Sequence, residues 1–124
     1  QRARDVGAAH GFFALESKSC RGLGELAMMD GRHEEGLDLL RNALAASSLN
    51  EFDDFSYEMN ALEGLTSALF ETNGIDEVEP LVQRYQEVAQ AFSRKEGKFT
   101  YAELHSLIAS ARLHEARGRP QEAE

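Results

Sequence analysis

Asp30-Gly31-Arg32-His33-Glu34-Glu35-Gly36 sets a turn former between two stretches of helical apolar spacing. The punctuation recurs at Asn73-Gly74-Ile75-Asp76-Glu77-Val78 and again at Gly118-Arg119-Pro120-Gln121-Glu122-Ala123. The interval is about 42 to 45 residues, and self-similarity at such a period is the mark of stacked helical hairpins. The chain therefore predicts an all-α fold.

The helix before each turn gives an independent check of the register. Blocks beginning at Leu15, Tyr57 and Ala102 align without gaps. Each opens on an acid (Glu16, Glu58, Glu103), follows with an apolar or thiol residue (Cys20, Leu62, Leu107) and then with a small one (Gly22, Gly64, Ala109). A small residue at that place lets a neighbouring helix approach closely.

Working outward, residues 2 to 10 read as the tail of a preceding helix that stops at Gly11. A first helix then covers about 13 to 29, with Cys20, Leu23, Leu26 and Ala27 on its inner stripe, and its partner covers about 33 to 47 with Gly36, Leu37, Leu40, Ala43 and Leu44 inward. Ser47-Ser48-Leu49-Asn50 breaks the pattern. The next pair spans about 54 to 72, burying Ala61, Leu62, Leu65, Ala68 and Leu69, and about 76 to 94, burying Val78, Leu81, Val82, Tyr85, Val88, Ala89 and Phe92. Pro80 lies deeper than the first turn, where spare N–H groups run out, so a distorted or delayed start is expected there. After Lys95-Glu96-Gly97-Lys98, a helix over about 99 to 117 carries Tyr101, Leu104, Leu107, Ile108, Ala111 and His114 inward, and Pro120 suits the first position of another.

These boundaries divide the chain into a partial repeat 1–11, repeats 12–50 and 51–96, and a partial repeat 97–124, a single repeat domain read as a segment of a longer solenoid. Both ends are then expected to expose apolar surface that a complete solenoid would cap. End-to-end self-association is the alternative way to cover it.

Composition excludes several function classes. With 28% charged and 42% hydrophobic residues the chain is that of an ordinary soluble protein, and no apolar run reaches the roughly 20 residues a bilayer span requires. A cytoplasmic or otherwise intracellular setting is expected, with no membrane partner. One cysteine, Cys20, cannot form an internal disulfide and reads as a buried structural thiol. The net charge of −9 comes from the middle of the chain. Between Asn42 and Gln83 there is no Lys or Arg, against Glu51, Asp53, Asp54, Glu58, Glu63, Glu71, Asp76, Glu77 and Glu79. Nucleic-acid binding needs the opposite sign and is set aside. The acidic stretch reads either as a docking face for a basic partner or as acids favoured at the positive ends of helix dipoles.

Motifs for catalysis, cofactors and metals fail on context. Gly22-Leu23-Gly24-Glu25-Leu26-Ala27 has the glycines of a dinucleotide fingerprint, but no strand precedes it and no acid follows at the ribose distance. Gly22 and Gly24 read instead as helix-packing residues. His33-Glu34-Glu35-Gly36-Leu37 lacks the second His of a zinc-protease helix. His105 and His114 fall on opposite faces of one helix, since each residue advances about 100°. No spacing assembles a nucleophile with its base. Neither an enzyme, a cofactor nor a metal site is expected.

Cys20, Leu23-Gly24, Ala27, Gly31, Gly36, Leu40 and Ala43 resemble the tetratricopeptide repeat family's pattern of a large residue, Leu-Gly, an aromatic, a small residue, a large apolar residue and Ala, departing from it where Cys20 and Ala27 replace bulky aromatics and Gly36 the usual Ala. The second copy keeps Leu62, Leu65, Leu69 and Val78; the third keeps Leu107, Ala111 and Gly118 through Ala123. The family's usual period is about 34 residues, so this chain is similar to a long-helix variety. The resemblance implies a right-handed superhelix of helical hairpins and a protein-interaction scaffold that holds a peptide or protein segment in a concave groove. The residues it assigns to that groove are Lys18, Arg21, Glu25, Met28, Asn60, Glu63, Ser67, Phe70, His105, Ile108, Arg112 and Glu115. Met28, Phe70 and Ile108 would be the apolar anchors, Arg21 and Arg112 the polar contacts. The carboxylate clamp of chaperone-tail-binding members is not expected, because Glu25, Gly64, His105 and Ala109 replace its donors. An effector-sensing segment of a larger signal-transducing or transcriptional regulator is the competing reading.

Overall fold

A computed structural model describes the backbone of residues 2–48 and 55–122 and the side chains of 16–47 and 57–118. It is all-helical, with no strand among the described residues. The order is α1 (Arg2–Met29), α2 (His33–Ser48), α3 (Phe55–Glu71), α4 (Ile75–Glu96) and α5 (Tyr101–Glu122). Two compact units divide within α3, one reaching Leu65 and the other starting at Thr66.

In the first unit α1 packs on α2 through absent side chains. A Cβ placed on Gly24 would lie 2.8 Å from Leu40 Cγ and 3.1 Å from the Gly36 carbonyl oxygen. A Cβ on Gly36 would lie 2.8 Å from Met28 and 3.0 Å from the Gly24 carbonyl. Ala27, Leu40 and Ala43 are buried around this crossing, and the Ser17 hydroxyl donates to the Ala43 carbonyl at 2.8 Å. The first part of α3 adds buried Met59, Ala61, Leu62 and Leu65. Each fully buried leucine contributes about 1.5–3 kcal/mol.

Asp30-Gly31 ends α1 as the sequence requires. Gly31 adopts φ +82°, where a Cβ is disfavoured, and Asp30 and Arg32 N–H donate to the Leu26 and Ala27 carbonyls. Three expectations for α1 are corrected. The stop at Gly11 does not occur, because one glycine costs a helix only about 1 kcal/mol and no turn follows it. Leu23 and Leu26 are 55% and 60% exposed, since α2 approaches on the side of Gly24 and Ala27 and leaves the leucines facing outward. Gly22 is not a packing residue: a Cβ there would meet nothing within 4 Å.

In the second unit Val78, Val82, Tyr85, Val88 and Ala89 of α4 are buried, as are Ala68 and Leu69 of α3. Asn73 takes the left-handed conformation at φ 60°, and Gly74 N–H donates to the Leu69 carbonyl at 2.8 Å to close α3. The delayed start expected from Pro80 is not seen, since Val78 N–H already donates to the Gly74 carbonyl at 2.9 Å. Pro80 and Asp76 are both exposed, so the carbonyl that Pro80 leaves without a helical donor faces water.

Gly97 at φ 73° ends α4, with its N–H and that of Lys98 donating to the Ser93 carbonyl at 2.8 and 3.2 Å. Thr100 then starts α5. Its hydroxyl oxygen accepts from Glu103 N–H at 3.3 Å and lies 2.7 Å from the buried Ser93 hydroxyl. Thr100-Tyr101-Ala102-Glu103 matches a capping box, a start signal that fixes this boundary more sharply than apolar spacing does.

α5 packs on α4 with small residues, Ser106 and Ala109. The inward stripe expected on α5 is therefore corrected: Tyr101, Leu104, Leu107 and Ile108 are exposed by 71, 43, 43 and 49%, and Ala111 and His114 are exposed as well. Large apolar residues turn away because the closely approaching neighbour selects the opposite face. No turn forms at Gly118-Arg119-Pro120, where α5 runs on to Glu122. Pro120 removes the donor to the Ala116 carbonyl and crowds it with its ring, a cost of about 3 kcal/mol that does not interrupt α5. Among the described residues, the exposed large apolar side chains are Leu23, Leu26 and Met29 of α1, Phe99, and Tyr101, Leu104, Leu107 and Ile108 of α5.

Candidate functional site

In the first unit α1 and α3 enclose a cleft of about 420 Å³ lined by Ser17, Lys18, Arg21, Gly22, Glu25, Tyr57, Asn60 and Ala61. Four of the twelve residues assigned to a groove, Lys18, Arg21, Glu25 and Asn60, share this lining. Successive α1 positions 18, 21, 22 and 25 fall on one face by helical spacing, and so do 57, 60 and 61 on α3. Gly22 leaves the wall open where a side chain would fill it.

Arg21 organises the cleft. Its Nε donates to Glu25 Oε1 at 2.9 Å and its Nη2 to Glu63 Oε1 at 3.0 Å, which brings Glu63 to the site. Gly64 makes room for the Arg21 stem: a Cβ there would lie 3.4 Å from Arg21 Nε. Lys18, Arg21, Glu25 and Glu63 balance to zero charge. Among the described residues Lys18 and Asn60 make no hydrogen bond or ion pair within the chain, so an ammonium and an amide that both donates and accepts face the opening. Tyr57 and Gly22 escaped the sequence reading, although Tyr57, one turn before Asn60 on the same face, carried a legible signal.

Met28 does not line the cleft; it lies against Gly36 of α2. The remaining assigned residues belong to the second unit. Arg112 sits over the Phe70 ring, with its guanidinium carbon 4.4 Å from the centroid. His105 Nε2 lies 2.8 Å from the Tyr101 hydroxyl. Ile108, Ser67 and Glu115 are exposed. Nothing is bare about part of the acidic middle stretch: Arg21 pairs with Glu63, and Arg117 pairs with Asp76 and Glu79. Asp76 and Glu77 occupy the first turn of α4, where the dipole favours them, while Asp53 and Asp54 lie outside the described residues.

Cys20 is half-buried, and burial followed by the nearby Glu16 carboxylate pushes its thiol above the ordinary range. Its neutral form is thus favoured and its nucleophilicity reduced. Among the described residues no cluster of three His, Cys, Asp or Glu side chains could hold a metal ion. Nor is any described helix long and apolar enough to cross a membrane. Comparison with known proteins gives no matching family model, no matching curated protein and no matching solved structure.

Proposed function

We propose that this chain is a tetratricopeptide-like interaction module whose hairpins stack in a right-handed superhelix and hold a peptide segment of a protein partner. The observation that carries the reading is the α1–α3 cleft of the first unit, where Lys18, Arg21, Glu25 and Asn60 converge. Arg21 is fixed by two carboxylates, so its position is set before any ligand arrives. Asn60 offers a donor and an acceptor side by side, which matches a peptide group. The Gly24–Gly36 approach falls where the family pattern requires small residues. A cytoplasmic scaffold without catalytic, cofactor or nucleic-acid chemistry is the role that follows.

Selection of a random peptide library against the 124-residue chain tests this. Enriched peptides are expected to bind about ten-fold more weakly to Asn60→Ala or Lys18→Ala, the loss of one or two hydrogen bonds, with unchanged melting temperature. No enrichment, or enrichment indifferent to both substitutions, refutes the cleft as the site. A second reading draws on cleft size, since about 420 Å³ lies within the range of small-molecule sites. An effector-sensing segment would gain thermal stability from a small polar ligand by mass action, whereas a peptide scaffold would respond only to its peptide.

A further inference from the structure

We infer that Arg112, held over Phe70 in the second unit, is the point at which a bound peptide presents a single carboxylate beside an apolar side chain. The inference rests on the peptide-binding reading above and adds the chemistry of the partner at a separate place.

Arg21, Arg32, Arg41, Arg84 and Arg117 each pair with a carboxylate. Arg112 makes no hydrogen bond or ion pair among the described residues; its one recorded partner is the Phe70 ring, 4.4 Å away. Arg94 shares that lack but stands in the last turn of α4, where the negative helix end favours a cation. Arg112 lies well inside α5 and has no such compensation.

An aromatic ring beneath a guanidinium restricts its rotation while leaving its N–H edge open, and a planar fork matches a carboxylate with two parallel bonds. Ile108, one turn earlier on the same face, is 49% exposed and gives an adjoining apolar residue something to cover. Glu71 and Glu115, both exposed, and a net charge of −9 oppose a string of anions, so one carboxylate fits and a polyanion does not.

Titration of the whole chain by NMR with acetyl-Leu-Glu-Leu-amide and its Leu-Gln-Leu counterpart provides the test. The Glu probe is expected to shift the Arg112 Nε–H and Ile108 methyl signals and to bind about five-fold more tightly than the Gln probe, the upper range for an exposed charge pair. Arg112→Gln should remove that preference. Phe70→Leu, which keeps apolar volume but loses the ring, should narrow it. Equal binding of the two probes, a preference that survives Arg112→Gln, or an octathymidylate that shifts Arg112 at lower concentration than the Glu probe would each overturn the assignment. Failure of the general peptide reading shows elsewhere, as Lys18 and Asn60 signals that no library-selected peptide moves.

Discussion

Two glycines separated by one residue in α1 should respond to the same substitution with opposite signs. Gly22→Ala places a methyl in open space, whereas Gly24→Ala drives one to 2.8 Å from Leu40 Cγ and 3.1 Å from the Gly36 carbonyl oxygen. Helix propensity favours alanine by about 1 kcal/mol in both cases, so it cancels in the comparison. Leu40 is 1% exposed and cannot swing aside, and the carbonyl belongs to the α2 backbone, so the helices must separate. Overpacking of this kind costs about 1–3 kcal/mol. Gly22→Ala should therefore stabilise by somewhat under 1 kcal/mol, and Gly24→Ala should destabilise by about 1 kcal/mol, a gap of about 2 kcal/mol between them. For a chain of this size that gap corresponds to about 6–10 °C in melting temperature. Thermal and urea unfolding followed by circular dichroism at the helical band would measure it. If Gly24→Ala proves as stable as Gly22→Ala, α1 and α2 do not meet at these glycines and the packing described for the first unit is wrong.

Further perturbations test other contacts. A double-mutant cycle on Arg21→Ala and Glu63→Ala should return a coupling of about 0.5–1 kcal/mol that shrinks with added salt, because both side chains are partly exposed; zero coupling at low salt would remove the pair from the account. Thr100→Val deletes both the α5 cap and the bond to Ser93, so it should cost about 2 kcal/mol, against about 1 kcal/mol for Ser93→Ala, and a reversed order in urea unfolding would contradict the shared role of Thr100. Cys20 should alkylate with iodoacetamide more slowly than a free thiol at mildly alkaline pH, with a rate midpoint displaced upward. Because folding raises this thiol's pKa, its contribution to stability is complete below the unfolded thiol's pKa and is lost as pH rises through the folded value. A stability that climbs across that alkaline window in the wild type but not in Cys20→Ser would be the wrong sign.

Legibility in the sequence followed the physics of each element. α3 was readable in full, because Ala61, Leu62, Leu65, Ala68 and Leu69 form one stripe and all are buried. The turns at Asp30-Gly31 and Asn73-Gly74 were readable because left-handed backbone selects Gly and Asn. α1 and α5 were not, since each carries apolar residues on two faces and spacing alone cannot say which face a neighbour takes. The neighbours took the faces with Gly24 and Ala27, and with Ser106 and Ala109, leaving Leu23, Leu26, Leu104 and Leu107 outward. Gly118-Pro120 misled for another reason: Gly and Pro cost a helix about 1 and about 3 kcal/mol, a local preference that does not by itself impose a turn. At the candidate site, the family resemblance assigned Lys18, Arg21, Glu25 and Asn60, which share one cleft lining. It could not show that Met28 bends toward Gly36 or that Arg21 spans two carboxylates, because both depend on side-chain reach between helices.

Leu40 occupies space vacated by glycines on two different helices, lying against Gly24 of α1 and, at 3.3 Å from a Cβ there, against Gly64 of α3. Three positions distant in the chain thus share a single volume constraint, and the order in which they change during divergence is not free. A smaller residue 40 would relieve the 3.3 Å contact at Gly64, whereas Gly24 would still face the Gly36 carbonyl oxygen at 3.1 Å and stay fixed. Lineages descending from a common ancestor should accordingly keep glycine at residue 24 throughout, and enlarge residue 64 only where residue 40 is smaller than leucine.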